Sequence, residues 1–178
     1  METKTCILTR RSVRQFTKHP VLRSTLEEII ALASYAPSWK NTQICRYIAI
    51  DDREKLNVIC QNYLAEHNSN IVSGAPLLIA QTFIKNRCGY ERDGSFSTQR
   101  KDGWQYYDCG IAAQTFCLAA HDAGLATVIM GIFPNDELSK FLQIPDDQEL
   151  MALIAVGYPD QEPPAPKRKD VELLLRYF

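Results

Sequence analysis

Three arginines and a serine fall within five residues in Arg10-Arg11-Ser12-Val13-Arg14. Guanidinium forks match the oxygens of a phosphate, and a hydroxyl adds a short hydrogen bond. In an extended segment alternate residues share a side, so Arg10, Ser12 and Arg14 would converge on one phosphate. Taken alone, the run reads rather as a solvated basic turn. A second basic run, Pro166-Lys167-Arg168-Lys169, lies far along the chain; Lys167 and Arg168 could bring further cations to the same group. Between them comes Ala36-Pro37-Ser38-Trp39-Lys40-Asn41-Thr42-Gln43. Pro37 stiffens this loop, and Ser38, Asn41 and Gln43 offer donors and acceptors in quick succession, suited to the amide-like edge of a heterocycle or to an ordinary polar turn. The fourth piece is Gly124-Leu-Ala-Thr-Val-Ile-Met-Gly131-Ile132. A glycine closing a buried strand permits close backbone approach to a flat ligand along Met130, Gly131 and Ile132; a plain β-turn explains it as well.

Other chemistries leave no trace. There is no Gly-x-Gly-x-x-Gly and no Gly-x-x-x-x-Gly-Lys, which argues against a Rossmann dinucleotide site or a P-loop, and no Gly-x-Ser-x-Gly elbow. The histidines at 19, 67 and 121 are scattered. The pairs Asp51-Asp52 and Asp146-Asp147 sit beside expected helix starts, where capping explains them better than acid–base work. No catalytic side chain and no metal site is assigned. The cysteines at 6, 45, 60, 88, 109 and 117 form no Cys-x-x-Cys pair and no zinc spacing. With no export signal in view they read as reduced thiols in a cytoplasm, most of them core fillers.

The elements that must position these groups follow from pattern. A length of 178 residues suits a single domain, 1–178, with 46% hydrophobic and 23% charged residues. The net charge of −1 gives no bulk pull toward nucleic acid or membrane, and no apolar stretch is long enough to cross a bilayer. Helices are expected over 2–9, 22–35 (capped by Ser24 or Thr25), from Asp51 or Asp52 to about 67, over 104–123, over 136–142 (capped by Asn135) and over 171–176. Strands are expected at 46–50, 76–84, 125–130 and 150–157. Residues 85–103 show no period and suggest a functional lid or a disordered stretch, and four prolines between 159 and 166 dictate an extended tail. Interleaved helices and strands imply α+β or α/β, a mixed sheet packed by helices.

In this order the pieces resemble the nitroreductase family of FMN flavoproteins. Arg10-Arg11-Ser12-Val13-Arg14 is similar to the family's Arg-x-Ser-x-Arg/Lys segment, and Ala36-Pro37-Ser38 through Asn41 and Gln43 to its Ala-Pro-Ser-x-x-Asn-x-Gln loop. Asp108 to Ala120 resembles its central helix; Gly124-Leu125, Val156-Gly157-Tyr158-Pro159 and Pro166-Lys167-Arg168 also fit. Ile44-Cys45 stands where Pro-Trp is frequent, and Ala126 where glycine is frequent. The resemblance implies an α+β fold with a mixed central sheet flanked by helices, and a homodimer whose C-terminal extensions are exchanged. It implies FMN held at the interface: Arg10, Ser12 and Arg14, joined by Lys167 and Arg168, on the phosphate; Pro37, Ser38 and Asn41 arriving from the other subunit; and Met130, Gly131 and Ile132 near flavin N5. Arg11 and Gln43 complete the expected cofactor set. The implied activity is electron transfer from NAD(P)H to a small acceptor such as a nitroaromatic or quinone. A flavin carrier or sensor without turnover is the alternative, and a generic phosphate-binding α/β domain is the reading without the resemblance.

Overall fold

The computed structural model describes residues 1–178. In chain order it has α1 (Thr3–Thr9), α2 (Arg23–Ala33), a 3-10 turn (Trp39–Asn41), β1 (Cys45–Ile50), α3 (Arg53–Asn62), α4 (Glu66–Gly74) and β2 (Leu77–Ile84). There follow α5 (Gly103–Asp122), β3 (Ala126–Met130), α6 (Asn135–Phe141), β4 (Gln148–Gly157) and a closing 3-10 turn (Val171–Leu173).

The strands form one sheet in the order β1-β2-β4-β3, and every neighbouring pair is antiparallel. The expected mixed sheet is therefore corrected. Its only parallel component is an isolated bridge from Ser12 to Thr127, outside the named strands. Hydrophobic runs specify strands but not partners, so direction is set by connections that the pattern leaves open.

Alternation along the two central strands divides the core. Leu77, Ile79, Ile154 and Val156 face α2 and α5, meeting Ile29, Ala33, Phe116, Cys117 and Ala120. Leu78, Ala80, Leu153 and Ala155 face the other way, onto Leu56, Ile59, Val72 and Leu138 of α3, α4 and α6. Helices thus cover both faces, which is why β2 and β4 are apolar almost throughout. Gly157 ends β4 where a side chain has no room: an added Cβ would stand 2.7 Å from Cδ of Pro76 and 3.1 Å from Phe16.

Several local expectations need correction. Asp52 caps α3 as expected, its carboxylate accepting from the N–H groups of Glu54 and Lys55. That helix stops at Asn62, however, and α4 begins at Glu66; the break at Tyr63–Ala65 carries no proline or glycine to mark it. Neither Ser24 nor Thr25 caps α2, which Leu22 precedes without a side-chain bond. Asn135 lies inside α6, and its amide donates to the carbonyl of Leu150 at 2.7 Å. Of the expected 85–103 stretch, residues 85–102 contain no helix or long strand but are internally tied by a Tyr90–Phe96 bridge, and Gly103 already begins α5. At Gly89, φ is +86° and an added Cβ would lie 2.3 Å from the carbonyl oxygen of Lys101, so this loop is closely built. No helix is long and apolar enough to cross a membrane.

Candidate functional site

The basic arm meets the outer edge of β3. Ser12 bridges Thr127 in parallel, and the N–H of Val13 donates to the carbonyl of Thr127 at 3.1 Å. Val13 turns into the core while Ser12 and Arg14 remain exposed, which realises the alternation expected of an extended segment. Beyond Val13 the arm turns back to the end of β4, where Phe16 bridges Pro159, so it meets β3 near that strand's start; Met130, Gly131 and Ile132 lie at the strand's other end. Met130 is buried, Gly131 has open space where a Cβ would sit, and Ile132 is 77% exposed. The carbonyl of Ile132 accepts from the amide of Asn68 on α4 at 3.3 Å, a support that sequence reasoning missed along with the helix that supplies it.

The three arginines differ. Arg11 donates from Nη1 to the carbonyls of Leu8 and Arg10, at 2.7 and 2.9 Å, and so closes the C-terminus of α1. Arg14 makes one long bond, 3.3 Å, to the carbonyl of Ser12. None of Arg10, Arg11 and Arg14 is paired with a carboxylate; the ion pairs are Met1–Asp122, Arg23–Asp51 and Lys40–Glu91. The arm thus carries uncompensated positive charge and a free hydroxyl beside exposed backbone. That donor set fits a phosphate ester. His121 lies close by, its ring Nε2 2.8 Å from Thr9 Oγ1. Burial, followed by the charge of Arg10, holds its pKa below the ordinary imidazole value.

The tail leaves the body at the same edge. Pro159 bridges Phe16, and the N–H of Asp160 donates to the carbonyl of Gln15 at 3.0 Å. With its amide oxygen turned to the arm, Gln161 accepts from the N–H groups of Arg14 at 2.7 Å and Gln15 at 3.1 Å. Beyond it Lys167 and Arg168 are exposed and unpaired. Six extended residues from Gln161 reach about 19 Å. The tail ends in exposed Val171, Leu173, Leu174, Leu175, Tyr177 and Phe178.

The Pro37–Gln43 loop stands elsewhere. It precedes β1, at the opposite edge of the sheet from β3. Within one chain the arm and the loop are therefore not brought together. The loop's backbone is strained at three non-glycine positions, with φ of 46° at Lys40, 56° at Asn41 and 48° at Gln43. Such values persist only where surroundings fix them. Two bonds do so: Ser38 Oγ accepts from the N–H of Gln43 at 3.0 Å, and the carboxylate of Asp108 accepts from the N–H of Trp39 at 2.9 and 3.2 Å. Asp108 is 3% exposed, on α5, and also accepts from the thiol of Cys88 at 3.1 Å. Burial and then this bond raise the Cys88 pKa well above the ordinary thiol range, so Cys88 stays a protonated donor. Pro37, Ser38, Gln43 and Asp108 line a largely apolar cavity of about 380 Å³ between α2, β1 and α5. The 85–103 loop fastens to the same segment through Lys40, which pairs with Glu91 at 2.8 Å, and just past the loop the Trp104 ring of α5 packs 4.7 Å from that of Trp39. That pairing holds the Glu91 carboxyl below its ordinary range, with a bond from Ser97 adding to the effect.

Asp108 was not singled out from sequence, because a lone aspartate within an apolar helix carries no spacing signal. Replacing it with alanine strands the Trp39 N–H and is expected to destabilise the fold by about 1–3 kcal/mol. Asp108→Asn keeps one acceptor oxygen and should lose less. Urea midpoints of the two variants, compared at equal slope, check the order; equal loss in both would mean that the charge, not the acceptor, matters.

No group of three or more histidine, cysteine, aspartate or glutamate side chains is arranged to hold a metal ion. A family model described as the nitroreductase family matches residues 7–76 and 62–158, most of the chain. The chain belongs to the nitroreductase family. Among its relatives, the NADPH-flavin oxidoreductase of Vibrio harveyi is 27% identical over 171 residues, covering 95% of this chain and 70% of that protein. The iodotyrosine deiodinase of Haliscomenobacter hydrossis is 28% identical over 184 residues, covering 90% and 82% respectively. The crystal structure of a nitroreductase family protein from Streptococcus pneumoniae matches with a TM-score of 0.86 at 21% identity, over 99% of this chain and 100% of that one. This last likeness is one of fold. This nitroreductase family member thus has an α+β fold around an antiparallel sheet, and oxidoreductase chemistry is the family's common ground with its flavin-using relative.

Proposed function

We propose that this protein binds FMN between two copies of the chain and passes electrons from NAD(P)H to a small acceptor such as a nitroaromatic or quinone. The observation that carries this reading is the arm of Arg10, Ser12 and Arg14, free of carboxylate partners and bridged to β3, the strand that leads into the open backbone of Gly131. Arg10, Ser12 and Arg14 hold the phosphate, with Lys167 and Arg168 brought in by the tail. Arg11 adds charge from its place at the end of α1. Met130, Gly131 and Ile132 present backbone and an exposed apolar side chain to the ring. Pro37, Ser38, Asn41 and Gln43 come from a second copy, since one chain holds them at the far edge of its own sheet. FMN, when bound, supplies the hydride chemistry, and the protein supplies orientation, electrostatics and exclusion of water. No side chain acts as acid or base. The six free thiols fit a reducing cytoplasm.

The deiodinase relative makes a halogenated phenol a second acceptor class worth testing. The test reconstitutes the purified protein with FMN and follows NADH and NADPH oxidation against a quinone, a nitroarene and an iodophenol. Sustained oxidation that needs one of these acceptors is the expected result. Tight FMN without turnover would identify a carrier instead, and a protein that cannot be reconstituted with FMN would overturn the reading.

A further inference from the structure

Two of the six cysteines are placed for chemistry that packing does not require. Cys45 is the first residue of β1 and lines the 380 Å³ cavity, where it is partly accessible. Cys109 lies beneath it on α5, 1% exposed, and the two Sγ atoms are 3.7 Å apart. They are 64 residues apart in sequence, so the fold alone brings them together. The other four thiols are differently placed. Cys6 donates to the carbonyl of Leu118, Cys60 to that of Ser69 and Cys88 to Asp108, and Cys117 is buried in the α2–α5 layer.

We propose that Cys45 and Cys109 form an oxidisable dithiol, with Cys45 as the attacking thiol and Cys109 as the resolving one, that a peroxide converts to an intramolecular disulfide. Their separation needs to shrink by about 1.7 Å to reach a disulfide bond length of roughly 2.0 Å. The hydrogen bond the two thiols share lowers the Cys45 pKa, with Arg46 adding to the effect, while Cys109 is pushed well above the ordinary thiol range, first by that bond and then by burial. The accessible partner is therefore the better source of thiolate, which is the nucleophile. Its sulfur attacks one peroxide oxygen, the O–O bond breaks, and the departing hydroxide takes a proton to leave as water. The resulting sulfenic acid is attacked by Cys109, whose sulfur bonds to Cys45 while its proton joins the leaving hydroxyl as a second water. Two thiols are oxidised by two electrons, and one hydrogen peroxide is reduced to two waters.

The bridge would fasten the start of β1 to α5 two residues after Gln43 and one residue from Asp108. It would act on the same loop that Asp108 holds, whatever ligand that loop meets.

The test treats the full chain with hydrogen peroxide, then unfolds it, alkylates the free thiols and maps the peptides by mass spectrometry. The expected result is loss of two of the six alkylatable thiols, a Cys45–Cys109 cross-linked peptide, and full recovery after dithiothreitol. Cys109→Ser should abolish the cross-link and leave Cys45 trapped as a sulfenic acid that a dimedone probe labels. Six thiols still alkylatable, a cross-link joining other cysteines, or one joining two copies of the chain would each overturn the proposal. The wild-type map needs no variant to fold. It also reads thiols rather than flavin, so it succeeds or fails independently of the FMN assignment.

Discussion

Replacing Arg14 with alanine is expected to weaken FMN binding by about 1.5–3 kcal/mol, the range for a hydrogen bond to a charged group, or roughly 10- to 150-fold in Kd. The guanidinium is exposed, has no carboxylate partner and makes only a long bond to its own segment, so the fold loses little when it goes. Stability and affinity should therefore separate: an unchanged urea midpoint with a raised Kd in a fluorescence titration of the apoprotein. Arg11→Ala provides the contrast. Its guanidinium closes α1, so it should cost stability first and affinity less. Unchanged flavin affinity in Arg14→Ala would remove this residue from the site and shift the phosphate elsewhere.

Removing residues 165–178 is expected to turn the proposed dimer into a monomer and to release flavin with it. Six large apolar side chains stand exposed between Val171 and Phe178, on a tail whose first residues are anchored at Phe16 and Gln15. Each contributes about 1.5–3 kcal/mol when fully buried. Two tails thus exceed by a wide margin the ~4 kcal/mol that separate micromolar from millimolar association, even after the cost of ordering them. Sedimentation velocity at micromolar concentration measures the change. Substituting only Lys167 and Arg168 with glutamine should leave the dimer intact and reduce flavin affinity, which separates assembly from phosphate binding. A truncated chain that remains dimeric would show that the tail is not the fastening.

Much of the fold was legible because its signals are local. β2 and β4 are apolar runs of strand length, and α5 is long and rich in small residues until Gly124, at φ 78°, ends it. The gap between α3 and α4 was illegible because Tyr63-Leu64-Ala65 is as helix-compatible as its neighbours. Ser24, Thr25 and Asn135 are good caps by type, yet their helices start where tertiary packing sets the backbone, and the cap bonds are not made. Strand direction was likewise decided by pairing, which one strand's pattern does not encode. For the site, the alternation of Ser12, Val13 and Arg14 was readable from spacing. That the arm and the Pro37–Gln43 loop occupy opposite sheet edges was not, since it depends on the order β1-β2-β4-β3. Asp108 escaped notice for the same reason: its partners, Trp39 and Cys88, are 69 and 20 residues away.

The separation of arm and loop on opposite edges of one sheet has a genetic corollary. In the proposed dimer each flavin site draws its phosphate clamp from one chain and its loop from the other. An Arg14 defect and a Ser38 defect then fall into different complementation groups, although they lie in the same polypeptide. Co-expressing the two crippled chains would yield hybrid particles with one fully wild-type site and one doubly damaged site, so activity would return in a mixture of two inactive parents.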